Sequence, residues 1–201
     1  MNFKTYARGL ASVAALLAGG LAATTASAAT FLPICARTAD VQAFLVADVN
    51  TRQQTTKTCA EIYEADLEPI TRVSVAFGDT TLFKVGDFSG LPNPEILNIR
   101  SNPYTGLPEG LFAGLTKLKT LVIIDTPLRN FPDDFLQDTP NLENCHCFEN
   151  QVRSISESVF QRLQAMTSLR ILDLDVELQD AERARLEALF AGNDAVELAF
   201  Y

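Results

Sequence analysis

The chain has 201 residues, with 16 Lys and Arg against 25 Asp and Glu, a formal net charge of −9 and a single histidine. A surface so acidic repels nucleic acid and anionic lipid, which argues against both as partners. With one histidine and no Gly-x-Ser-x-Gly, phosphate-binding glycine loop or metal-ligand cluster, the sequence argues against an enzyme and implies no cofactor and no metal.

The N-terminus reads as an address. Lys4 and Arg8 precede an apolar stretch from Leu10 to about Thr24, and Ala26-Ser27-Ala28 supplies the small side chains a signal peptidase requires. Residues 1–28 are expected to be a signal peptide, cleaved after Ala28. Gly19, Gly20 and several Thr and Ser interrupt the run, which falls short of the ~20 apolar residues of a bilayer span. A lipoprotein fits less well: Leu32-Pro33-Ile34-Cys35 puts Ile34 where a small residue belongs. Removing residues 1–28 deletes Lys4 and Arg8 and no acid, so 14 cations face 25 acids and the charge becomes −11 over 173 residues. The expected product is secreted or periplasmic, in an oxidising compartment, with no membrane insertion after signal removal.

Next comes an expected cap over residues 29–66. A helix is predicted from Asp40 to Asn50, with Val41, Phe44, Leu45 and Val49 on its apolar side. Four cysteines allow three pairings, and Cys35–Cys59 is the expected disulfide, flanking this helix. Cys145 and Cys147 stand two apart in a predicted strand, where they point the same way but lie too far apart for relaxed bridging. They are expected as buried thiols acting as small hydrophobes. Alternation turns His146 away from both sulfurs, so Cys-His-Cys is not read as a metal site.

From residue 67 to 201 the chain repeats. Val73-Ser74-Val75, Leu97-Asn98-Ile99, Leu121-Val122-Ile123 and Cys145-His146-Cys147 follow at steps of 24 residues, then Leu172-Asp173-Leu174 after 27 and Val196-Glu197-Leu198 after 24. Each triplet is a short strand with two inward side chains. Other positions recur in phase: Asn102 and Asn150 at five after the triplet start, Phe83, Leu107, Phe131 and Ile155 at ten, and Phe88, Phe112, Leu136 and Phe160 at fifteen. Such coincidence at one period is the mark of a solenoid, because one unit cannot bury its apolar face alone. The Asn amide can satisfy backbone groups where the strand turns away. Gly78, Thr126 and Glu177 stand in its place elsewhere and are expected to interrupt that ladder. The 27-residue unit is expected to carry its extra residues near Arg162 to Thr167, on the convex side.

Leu118-x-x-Leu121-x-Ile123-x-x-Thr126-x-Leu128-x-x-Phe131-Pro132 resembles the 24-residue typical class of leucine-rich repeats, and Leu97-x-Ile99-x-x-Asn102 matches it better at the turn. Cys35-Ala-Arg37-Thr38 with Val41, Cys59-Ala60 and Ala65-Asp66-Leu67 resembles the N-terminal cap of secreted bacterial proteins of this family. The resemblance spans about residues 33–201. It implies an α/β leucine-rich-repeat solenoid: a curved parallel sheet of about six strands, an irregular or helical convex side and an N-terminal helical cap. For function it implies a protein-interaction module and no particular ligand.

The far end is predicted as a charged helix, Asp180 to Phe190, a stop at Gly192-Asn193 and a last strand. No cap is expected after it. Its edge is either open to another molecule or covered by Phe200 and Tyr201.

Side chains alternating with the inward ones project from the concave sheet. The middle column is Ser74, Asn98, Val122, His146, Asp173 and Glu197. The next is Ala76, Arg100, Ile124, Phe148, Asp175 and Ala199, and the preceding one is Arg72, Ile96, Thr120, Asn144, Ile171 and Ala195. Ile96, Val122, Ile124 and Phe148 would form an exposed apolar cluster, which marks an interaction site. Asn98, Arg100, His146 and Asp173 join them as candidate contacts to a protein or peptide ligand. Ordinary β-propensity is the plainer account of the same residues. The rival function is a structural or adhesive envelope protein that self-associates into an oligomer through its C-terminal edge.

Overall fold

Helix α1, Ala39–Gln53, stands at the N-terminal end of the computed structural model, which describes residues 32–175 and 177–201. The expected signal peptide and cleavage site therefore lie outside the described residues. The helix starts one residue before the predicted span and ends three after it, where Gln54 takes a left-handed φ of 54° and its N–H returns to Asn50 O. Val41, Leu45 and Val49 recur every four residues, so they share one helical face, and all three are fully buried. Cys35 and Cys59 are joined by a disulfide, with their Cα atoms 5.1 Å apart.

Two buried groups fasten this cap to the first coil. The Arg37 guanidinium donates to Leu32 O at 3.1 Å, to Asp87 O at 2.6 Å and to Ser89 O at 2.6 Å. Asp87 in turn accepts from Thr38 N at 2.8 Å and Lys84 N at 2.7 Å. Near them, Asp40 on α1 accepts from Thr80 Oγ1. A short helix α2, Glu64–Leu67, then leads into the sheet.

Six parallel strands follow in sequence order: β1 Arg72–Ser74, β2 Ile96–Asn98, β3 Thr120–Val122, β4 Asn144–Cys147, β5 Ile171–Leu174 and β6 Glu197–Phe200. Val73, Leu97, Leu121, Cys145 and Leu172 lie opposite one another on successive strands, as the period requires. All five are buried. The last step differs. Leu172 pairs with Leu198 and Leu174 with Phe200, so the triplet is Leu198-Ala199-Phe200 and the step is 198 − 172 = 26 residues, not 24. The eleven-residue helix α4, Asp180–Phe190, occupies the convex side of this coil and consumes the extra length. A slip of two preserves the face of every side chain, so the sequence pattern could not distinguish the two registers.

Beneath the sheet, the convex half is filled by rings. Phe83 meets Phe88 at 5.8 Å and Tyr104 at 5.1 Å between centroids, and Phe131 stacks on Phe135 at 4.2 Å. The coil after β4 replaces the tight turns of its predecessors with helix α3, Glu157–Ala165, whose Ser156 N-cap accepts from Val159 N. The surplus residues of the 27-residue unit fall at and just beyond its C-terminal end.

The polar ladder is more continuous than the sequence suggested. Asn102 Nδ2 donates to Val75 O and to Arg100 O, both at 2.9 Å, and Asn150 Nδ2 donates to Ile123 O at 2.9 Å. At Thr126 the ladder is not interrupted, because its hydroxyl donates to Asn150 Oδ1 at 2.7 Å. In the next coil Asp175 takes over, accepting from Asn150 N at 2.6 Å and Val152 N at 3.2 Å.

Cys145 and Cys147 are a second correction. Both are fully buried as expected, but they form a disulfide and are not free thiols. Their Cα atoms are 5.8 Å apart, shorter than the roughly 6.6 Å of two full strand rises. The strand contracts where it ends, two residues before Glu149 turns left-handed at φ 57°.

Candidate functional site

Period-two alternation leaves one side chain of every inward pair facing out of the sheet. Because the strands are in register, equivalent residues of successive coils form columns about 4.8 Å apart. Asn98, Val122 and His146 are neighbours in the middle column, Ile96 precedes it, and Arg100, Ile124 and Phe148 follow it. The fold thus brings seven of the eight predicted contact residues onto one open face. Ile96, Asn98, Val122, Ile124, His146 and Phe148 are half-buried there, and Arg100 is exposed.

Asp173, the eighth, is in register with His146 but buried at 7% exposure. Its Oδ2 lies 2.6 Å from His146 Nδ1, so the pair is a fixed polar unit and not two free contacts. Asp175 does not face out at all. Its carboxyl sits in the ladder, where burial raises its pKa against the opposing hydrogen bonds from Asn150 N and Val152 N. The shifted register also moves the acidic end of the face. Ala199 takes the middle column, and Glu197 stands opposite Ile171 in the preceding one.

Two residues join this region beyond the predicted contacts: Tyr201, which the sequence placed only as a possible cover of the last edge, and Phe77, which it did not single out. Tyr201 follows β6 in the column of Phe148, and the two rings meet at 4.9 Å across Asp175. Phe200 instead packs toward Arg183, whose guanidinium carbon is 5.7 Å from its ring centroid. The outer edge of β6 has no strand partner among the described residues. Phe77 is the second. It is 73% exposed, and Arg100 lies over its ring at 4.9 Å. Phe77, Ser101, Asp125 and Glu149 occupy the same point of consecutive coils, each with a φ between 52° and 58°. Asp tolerates that left-handed conformation more readily than most residues, whereas a bulky aromatic adopts it at a cost. A rule for the fourth residue after each triplet start would have found the position, though not its pairing with Arg100.

Among the described residues, no helix is long and apolar enough to cross a membrane, and no group of His, Cys, Asp and Glu stands together as metal ligands.

No family model and no curated protein matches the chain. Solved structures do match. A leucine-rich-repeat protein of Leptospira interrogans aligns at a TM-score of 0.56 and 21% identity, over 70% of this chain and 34% of its own. The fold is that of a leucine-rich-repeat solenoid. A chain of the Toll–Spatzle complex of Drosophila aligns at a TM-score of 0.54 and 20% identity, over 69% of this chain and 18% of its own. This solenoid thus spans about a third or less of the length of the proteins it resembles.

Proposed function

We propose that the chain is an exported, non-enzymatic binding module that takes a protein or peptide partner on the open, concave face of its sheet. The observation that carries this reading is the cluster of half-buried Ile96, Val122, Ile124 and Phe148 on the outward columns, extended by the ring of Tyr201. Apolar side chains on a rigid sheet, ringed by polar groups, suit a desolvated contact. Arg100 with Phe77 borders the cluster at one end and the His146–Asp173 pair at the other. The Cys35–Cys59 disulfide fits an oxidising compartment and so supports export. The solenoid's likeness to a chain of a protein–protein complex supports a protein ligand as a class.

The test uses Val122→Lys with Phe148→Lys. The immobilised protein is expected to capture one defined partner from periplasmic or surface extract, and the double variant to lose it while its circular-dichroism melt is retained. Unchanged capture by the double variant overturns the reading. Self-association through the outer edge of β6 is the alternative, favoured by that strand having one sheet neighbour. Light scattering separates the two, since a monomer across concentration rejects the edge.

A further inference from the structure

Away from the apolar cluster, on the loops that leave β3 and β4, a polar concavity of about 590 Å³ is lined by Arg129, Asn130, Gln151, Arg153 and Glu177. Arg129 and Arg153 are 24 residues apart and hold the same place in consecutive coils. Their backbones are pinned in a ladder: Arg129 N donates to Thr105 O at 3.2 Å, Gln151 N to Leu128 O at 2.8 Å, and Gln179 N to Arg153 O at 3.0 Å. Consecutive coils therefore bring two cationic side chains to the lining of one concavity, where like charges repel.

Compensation for that repulsion is thin. The chain has 25 acids for 16 cations, yet no side-chain ion pair or hydrogen bond holds Arg129 among the described residues. Arg153 has only Glu177 at 3.5 Å, and both of those side chains are more than half exposed. Two arginines and one glutamate leave a local charge of about +1 in a protein that is otherwise strongly acidic.

We infer that this concavity binds a single carboxylate carried by a peptide, an Asp or Glu side chain or a chain terminus, between the Arg129 and Arg153 guanidinium groups. A guanidinium presents planar paired donors that match the two oxygens of a carboxylate. The Asn130 and Gln151 amides add neutral donors. A monoanion balances the local charge. A dianion or polyanion does not, because Asp125 and Glu149 line the neighbouring concavity, which shares Gln151. This site is separate from the apolar face and stands or falls independently of it.

The experiment titrates the full, ¹⁵N-arginine-labelled protein with the blocked monoanionic dipeptide acetyl-Gly-Glu-amide, and with acetyl-Gly-Gln-amide as the neutral control. The Nε–Hε signals that disappear in R129Q and R153Q identify the two arginines. Both signals are expected to move saturably with the Glu peptide and to stay still with the Gln peptide. Each single Gln variant is expected to weaken binding about tenfold, the loss of one charged hydrogen-bonding group. Val122→Lys with Phe148→Lys is expected to bind the peptide as the parent does, which separates this site from the concave face. Still signals, equal movement with sulfate, or preference for trigalacturonate over the peptide each overturn the proposal.

Discussion

Gly78 lies so close to Asp40 that a Cβ added at Gly78 would sit 2.5 Å from Asp40 Oδ2 and 2.9 Å from Asn102 Oδ1. Gly78 holds the ladder position that Asn102 fills one coil later. Its missing side chain admits a carboxylate from the cap, held by Thr80 Oγ1. Gly78→Ala must push Asp40 aside and break that charged hydrogen bond, at about 1.5–3 kcal/mol. A thermal melt checks the loss. In an Asp40→Ala background the same substitution is expected to cost much less, and equal costs in both backgrounds would show that the two residues do not interact.

The Arg37 clamp is equally specific. Three carbonyls on two segments converge on one planar side chain. Arg37→Lys keeps the charge and three donors, but all three radiate from one atom and do not reproduce the planar fork whose separate nitrogens reach the three carbonyls. Each carbonyl left buried without a donor costs about 1–3 kcal/mol. Chemical denaturation should show Arg37→Lys less stable by a few kcal/mol, with cap amides exchanging fastest. A near-neutral result would mean that water enters and satisfies the carbonyls.

Acid should loosen the same cap. Asp66 accepts from Lys57 Nζ at 2.6 Å, Tyr63 N at 2.9 Å and Gln53 Nε2 at 2.7 Å, and these bonds, led by that from Lys57, hold its pKa at about 2. The folded value lies below the ordinary value of 3.8, so the folded state binds the proton less readily. The stabilisation is complete above pH 3.8 and is lost as pH falls toward about 2. Lys57→Met is expected to raise the midpoint of acid unfolding, as followed by circular dichroism. An unchanged midpoint would remove Asp66 from the acid transition.

Most of the architecture was legible in the sequence because a solenoid repeats its information. Five strand positions at Val73, Leu97, Leu121, Cys145 and Leu172 vote for one period, and the inward side chains follow. The failures lie where no neighbour repeats the signal. β6 slipped by two because a period-two pattern is silent about even shifts. Thr126 appeared to break the ladder because a hydroxyl and an amide look unlike in sequence, though both can donate. Asp175 turned inward because the coil needed an acceptor there, a need set by Asn150 and Val152 and invisible in any local pattern. The candidate face was legible as columns. The internal pairing of His146 with Asp173 and the exposed Phe77 beneath Arg100 were not, since both depend on side-chain directions.

Thr126 gives the last prediction. Its buried hydroxyl donates to Asn150 Oδ1, and Asn150 Nδ2 continues to Ile123 O, just past the end of β3. Thr126→Val keeps the shape and removes the donor, leaving Asn150 Oδ1 buried without a partner at a cost of about 1–3 kcal/mol. Thr126→Ser keeps the donor and removes a methyl group, which costs about 1 kcal/mol in a packed site. If the hydroxyl joins the ladder, the valine variant unfolds at lower denaturant than the serine variant, although valine preserves more of the packing. The reverse order would mean that Thr126 serves only as filler and that the ladder is interrupted there after all.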